Sequence, residues 1–237
     1  ELALAWFQRV ASRPTDCPEK LAAQFSLAEG IRSNIGAVDE ARDMYQEVLS
    51  INRRVLGREH PNTLCVLGRL GDLYMAQGNH AQALPLLEEA LELNRRVLGP
   101  EHRHTLISTS ALGCLHQHRG DYDQALPLLQ FDLAASRRLL GDEDIDTLVS
   151  LANLGLCHLF REEHEQALEL MTEDLAAARR VLGPEHPHTR VCMCNLGGLY
   201  TNMGRFDEAQ QVLDELRAAS ERSHGRVLSR QQQLALH

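Results

Sequence analysis

The chain has 237 residues, with 24 Lys and Arg against 33 Asp and Glu, so its formal charge is −9; 43% of residues are hydrophobic and only 4% aromatic. The acidic balance speaks against a nucleic-acid binder, which shows a basic excess, and the hydrophobic fraction excludes a disordered chain. No run of about 18 apolar residues occurs, so neither a transmembrane helix nor direct membrane insertion is expected. Lysine occurs once, at Lys20, which leaves arginine as nearly all of the positive charge.

In chain order, Glu1–Ser12 lacks the basic start and long apolar core of a secretory signal. It is read as a helix joined by the Pro14–Pro18 linker, with Trp6 and Phe7 packing on the first helix pair, so residues 1–19 form a cap and linker. Because residue 1 is Glu rather than Met, the chain reads as processed or partial. An intracellular, most simply cytoplasmic, location is expected, with an organelle reached after loss of a targeting peptide as the alternative. The cysteines Cys17, Cys65, Cys114, Cys157, Cys192 and Cys194 keep no fixed spacing, which fits free thiols in a reducing compartment.

From residue 20 onward the sequence repeats. RRVLG stands at Arg53–Gly57, Arg95–Gly99 and Arg179–Gly183, with RRLLG at Arg137–Gly141, all in a 42-residue register. Segments 41–82 and 83–124 align without a gap and share 18 of 42 residues. Each unit predicts two helices. In Thr63–Gly78 the residues Leu64, Leu67, Leu70, Leu73 and Tyr74 fall three and four apart on one face. In Ala81–Leu98 the stripe is Leu84, Leu87, Leu91 and Leu98. Pro85 and Pro127 are placed near the first turn, where a missing N–H costs little. Arg95 and Arg96 fall in the last turn, where cations suit the helix dipole, with Glu92 four residues before Arg96. Asn62 or Thr63 is expected to cap the next helix. Gly71, Gly113, Gly155 and Gly197 sit mid-helix, where glycine costs about 0.8–1.0 kcal/mol against alanine, so they predict close helix contacts without room for a Cβ. Five pairs result, 20–57, 62–99, 104–141, 146–183 and 188–222, followed by a polar stretch over 223–237 that is either a tail or a terminal cap. Two departures fall in the fourth pair: Glu162 replaces the glycine found at Gly78, Gly120 and Gly204, and Asp144 replaces the loop histidine.

The sequences Leu70-Gly71-Asp72-Leu73-Tyr74, Gly78 to Ala83, and Ala90-Leu91 resemble the tetratricopeptide repeat, in the 42-residue form found in kinesin light chain and nephrocystin-like proteins. The resemblance covers about residues 20–222 and implies an all-α solenoid of antiparallel helix pairs in a right-handed superhelix, with first helices lining a concave groove. The family's groove positions fall here on Cys65, Gly68, Arg69, Asp72, Met75 and Ala76. The next repeat supplies Ile107, Ser110, Ala111, Cys114, Gln117 and His118. Val149, Ala152, Asn153, Leu156, Leu159 and Phe160 follow, then Val191, Cys194, Asn195, Gly198, Thr201 and Asn202. Asn153 and Asn195 can donate to and accept from a peptide backbone, and Leu156 with Phe160 offers apolar contact. Arg69 is the one firm cation among these positions, which does not fit the Lys/Arg clamp of chaperone-binding relatives or a basic groove for acidic cargo.

The expected function is therefore a non-enzymatic scaffold that holds a peptide or protein segment in its groove, with a permanent subunit of a large complex as the alternative. No catalytic group and no cofactor is expected, because no nucleophile, base and orienting group assemble from the sequence. His60, His102 and His186 recur with the loops and are read as structural. The segment from His186 through His188 and Cys192 to Cys194 is the nearest thing to a metal motif. Cys192 and Cys194 lie about 200° apart on a helix, however, so they do not share an ion.

Overall fold

The computed structural model describes residues 38–234, with side chains over 39–223. The N-terminal cap with Trp6 and Phe7, the linker, Cys17 and the first helix of the 20–57 pair lie outside the described residues. Contacts divide the chain into two compact units, Glu1–Gly120 and Asp121–His237. The first contains α1 (Val38–Val55), α2 (Pro61–Ala76), α3 (His80–Leu98) and α4 (Arg103–His118). The second contains α5 (Tyr122–Leu140), α6 (Ile145–Phe160), α7 (His164–Val181), α8 (Pro187–Asn202) and α9 (Phe206–Leu234). No strand occurs among the described residues.

Within each unit every helix packs on the next, and alternate first helices also touch, α2 with α4 and α6 with α8. Most of the predicted stripe is the core of this packing: Leu64, Leu67, Leu70, Leu73, Leu87 and Leu91 are buried, each leucine being worth roughly 1.5–3 kcal/mol before entropy is charged against it, whereas Leu84 and Leu98 are half-buried. Three of the mid-helix glycines, Gly71, Gly155 and Gly197, behave as expected. A Cβ on Gly71 would stand 2.5 Å from Leu87 Cδ2, on Gly155 3.1 Å from Met171 Cγ, and on Gly197 3.0 Å from Leu213 Cδ2. The helix pairs close because these positions carry no side chain.

The loops differ from expectation in an instructive way. The helix caps are His60, His102 and His186, not Asn62 or Thr63: each ring accepts through Nδ1 from the N–H two residues on, at 3.1–3.2 Å. Asp144 does the same work with its carboxylate, accepting from the Asp146 N–H at 2.9 Å, which explains why the fourth pair tolerates the exchange. The following threonine acts as a latch. Thr63 donates to the Gly57 carbonyl and Thr105 to the Gly99 carbonyl, both at 2.7 Å. Imidazole and carboxylate are alike here in presenting an acceptor at the right reach.

Pro85 and Pro127 are corrected too. They lie inside α3 and α5, in the second turn rather than the first. Both are exposed, so the carbonyl left without an N–H partner four residues earlier opens toward water, which limits the cost of the break. The arginine pairs do more than compensate helix ends. Arg53 reaches Glu89 at 2.6 Å and Arg137 reaches Glu173 at 2.5 Å, and Arg179 pairs with Glu215, each linking successive second helices. Arg96 turns to Glu59 at 2.5 Å instead of Glu92, as Arg180 does to Glu143 at 2.9 Å and Arg222 to Glu185 at 3.3 Å. These ion pairs join one repeat to the next, and being largely exposed they fix register more than they add stability.

Candidate functional site

In the first unit a cleft of about 130 Å³ opens between α2 and α4. Leu64, Cys65, Gly68, Arg69 and Asp72 of α2 line it with Asn94 of α3 and His104, Ile107 and Ser108 of α4. It brings together five of the predicted groove positions: Cys65, Gly68, Arg69, Asp72 and Ile107. Arg69 Nη1 and Asp72 Oδ2 stand 4.0 Å apart, with 44% and 33% of their side chains exposed, so both charges remain accessible to a polar ligand. Ile107 is 50% exposed beside them.

Three lining residues escape the sequence pattern. Asn94 is buried on a second helix, and its Nδ2 donates to Ser108 Oγ at 2.9 Å. Ser108 Oγ in turn donates to the His104 carbonyl at 3.1 Å. The Asn94 Oδ1 is buried without a hydrogen-bond partner. The signal was legible in principle, since Asn94 continues the Leu87, Ala90, Leu91 face as a polar residue in an apolar stripe. The other predicted residues of this unit lie elsewhere: Met75 and Cys114 are half-buried and outside the cleft lining, and Gln117 is buried.

In the second unit Asn153 and Asn195 occupy equivalent places on α6 and α8, each half-buried, as is Leu156. Phe160 is 52% exposed and stacks parallel on Tyr122, centroids 6.4 Å apart, so one of its faces is covered. Thr201 and Asn202 are exposed at the end of α8, with the Thr201 hydroxyl donating back to the Gly197 carbonyl at 2.8 Å. Val149 and Val191, the equivalents of Ile107, are 40% and 52% exposed. The first-helix position beginning at Cys65 is thus exposed in every described repeat, and apolar or sulfur-bearing in each.

Around the Glu162 departure, φ is +62°, beside +73° at Gly78 and +71° at Gly204. The chain there follows the same helix-ending turn, with the Glu163 N–H donating to the His158 carbonyl at 2.9 Å. An ion network holds it: Asp123 meets Arg161 at 2.7 Å, Arg161 meets Glu163 at 2.9 Å, and Glu163 meets His158 Nδ1 at 2.6 Å. The bonds from His158 first, and then from Arg161, hold the Glu163 carboxyl below the ordinary carboxylate range.

Among the described residues one set of groups able to ligate a metal comes together, Asp174, His188 and Cys192. Cys194 is exposed and outside it, in line with the angular argument from the sequence.

The sequence pattern of the tetratricopeptide repeat matches residues 21–90, 63–130, 115–173 and 174–222. The chain belongs to the tetratricopeptide repeat family. That family consists in general of non-catalytic protein-interaction scaffolds. No curated protein sequence matches the chain. Among solved structures, a kinesin light chain protein of Podosopora anserina with nearly identical TPR-like repeats is 28% identical, with a TM-score of 0.69 over 90% of this chain and 98% of that one. BtubC (BKLC) of P. vanneervenii is 17% identical, with a TM-score of 0.73 over 94% and 88%. A Rap protein complexed with competence and sporulation factor is 13% identical, with a TM-score of 0.78 over 92% and 58%. The last two share the fold alone. No helix among the described residues is long and apolar enough to cross a membrane.

Proposed function

We propose that this tetratricopeptide repeat chain is a non-enzymatic scaffold that binds a peptide or protein segment along its first helices. The carrying observation is the repeated exposure of Cys65, Ile107, Val149 and Val191 at one first-helix position. In the first unit this position flanks a cleft that also offers the Arg69–Asp72 pair and a polar floor. In the second unit an extended segment would place apolar side chains on Val149 and Val191 and its backbone amides on Asn153 and Asn195, with Leu156 and Phe160 adding apolar area and Thr201 and Asn202 adding polar contacts. The ligand that suits such a surface is mixed apolar and hydrogen-bonding, not strongly charged. The complex of the Rap protein with competence and sporulation factor supports the reading by showing one chain of this fold holding a partner. The five described cysteines are thiols rather than disulfides, which suits an intracellular, reducing setting.

The test is selection of binders from a random-sequence peptide library by the full chain, followed by affinity measurement on variants. Enriched peptides that lose about 10-fold or more in affinity (1.4 kcal/mol) on Ile107→Asp, or on joint Asn153→Ala and Asn195→Ala with helicity retained, support the proposal. No enrichment, or unchanged affinity in all of these variants, contradicts it.

A second reading, a permanent subunit of a larger assembly, is favoured by a different row. Val55, Val97, Leu139 and Val181 are 40–46% exposed at the ends of the second helices. If that row carried the interface, the chain would remain with a fixed partner through high-salt purification from its native source.

A further inference from the structure

We propose that Asp174, His188 and Cys192 form a binding site for a divalent transition metal ion, with zinc the best fit and water completing the coordination. His188 and Cys192 are four residues apart on α8, one helical turn, so both side chains share a face. Asp174 meets that face from α7. Its Oδ1 lies 2.9 Å from His188 Nε2 and its Oδ2 3.0 Å from Cys192 Sγ. All three ligand atoms lie within 4.8 Å of one another. Around a tetrahedral zinc with bonds of about 2.0–2.3 Å, ligand atoms stand roughly 3.5 Å apart, so a small rearrangement of these side chains seats the ion. One oxygen, one nitrogen and one sulfur make a donor set that zinc accepts and that magnesium or calcium does not. Asp174 and Cys192 are each 2% exposed, and the His188 side chain is 12% exposed, which encloses two ligands and leaves an approach past the third.

The equivalent places in the other repeats argue that this combination is particular to one seam. They hold Asp132, Asp146 and Ser150 in one repeat and Ala90, His104 and Ser108 in another. Ser150 Oγ donates to Asp132 Oδ2 at 2.7 Å, so the buried aspartate recurs with a hydroxyl in place of the thiol and the carboxylate of Asp146 in place of the imidazole. Metal binding displaces the thiol proton to solvent, while His188 presents its Nε2 lone pair in the Nδ1–H tautomer.

Titration of the full chain with Co²⁺ under reducing conditions tests the site. The expected result is one equivalent bound, the visible bands of a tetrahedral cobalt site, a near-ultraviolet thiolate-to-cobalt band, and displacement by Zn²⁺. Cys192→Ser, the residue already standing at 108 and 150, should abolish the thiolate band. His188→Asn, the residue standing at 62, should weaken binding about 10-fold or more. Cys194→Ser should leave the spectrum and affinity unchanged. Zn²⁺ should raise the Tm of the unaltered chain and not that of Cys192→Ser. The proposal is overturned if the folded chain gives no thiolate band, if the band survives Cys192→Ser, if Cys194→Ser abolishes it, or if His188→Asn leaves the affinity unchanged.

Discussion

The seam between α3 and α4 in the first unit and the seam between α7 and α8 in the second are built from the same repeat, and they end differently. In the first, Asn94 donates to Ser108, which donates on to the His104 carbonyl, at the floor of an open cleft. In the second, the equivalent residues Cys192 and His188 are both drawn onto Asp174. The leucines, glycines and loop caps that set the helix spacing recur, whereas the buried polar side chains along each seam vary in kind and position: Asn94 stands where later repeats carry Ser136 and Ala178, and Asp174 where the first unit carries Ala90. A neutral amide leaves an acceptor unpartnered, while a carboxylate gathers every donor in reach. The scaffold is generic, and what distinguishes one repeat from another is held in a few buried polar side chains and the row of exposed first-helix residues.

The largest effect expected from disturbing this contrast is at Asp174. Asp174→Ala strands the His188 and Cys192 donors in a buried place and should cost about 2–4 kcal/mol in chemical denaturation. Asp132→Ala should cost about 1–2 kcal/mol, because Ser150 keeps the Asp146 carbonyl as a second acceptor at 2.9 Å. Equal losses would erase the distinction between the two places. Next, Gly71→Ala drives a Cβ against Leu87, which is fully buried, and should cost about 1–2 kcal/mol even after the helix-propensity gain. Gly155→Ala meets the adaptable Met171 and should be near neutral by the same assay. In the opposite direction, Glu162→Gly relieves a left-handed residue and should stabilise by about 1 kcal/mol; a loss would mean that Glu162 contributes contacts outweighing its backbone strain.

The smallest effect is pH dependence. Glu163 is held below its usual pKa, so its ion network contributes fully above the ordinary carboxylate value of about 4.3 and is lost as pH falls through the lowered one. Denaturation midpoints should therefore drop less steeply on acidification in Glu163→Gln than in the unaltered chain. Part of the slope should remain, because Arg205 also holds Glu208 low.

The sequence carried the repeat period, the helix faces and the reason for the mid-helix glycines, because each is a local pattern repeated in register. It hid features that depend on partners in another repeat. Arg96 had a plausible partner four residues away in Glu92, yet its guanidinium reaches Glu59, 37 positions back. His60 does not resemble an ordinary helix cap, although its Nδ1 has an acceptor's geometry. Within the cleft, Arg69, Asp72 and Ile107 were expected from the resemblance to the tetratricopeptide repeat, whose groove positions fall on them. Asn94 stood out only as a polar residue in the apolar stripe of its own helix, and its place in the cleft was hidden because it enters from a second helix. His188 and Cys192 were visible as an i, i+4 pair, but the third member, Asp174, lies 14 residues before His188 on another helix.

The central claim is that ligands sit along the first helices and not on the apolar row at the second-helix ends. It is tested most directly by measuring the affinity of a library-selected peptide for Ile107→Asp and Val97→Asp, two substitutions at residues 50% and 41% exposed. The account predicts a loss of about 10-fold or more for Ile107→Asp and none for Val97→Asp. A loss confined to Val97→Asp would contradict it.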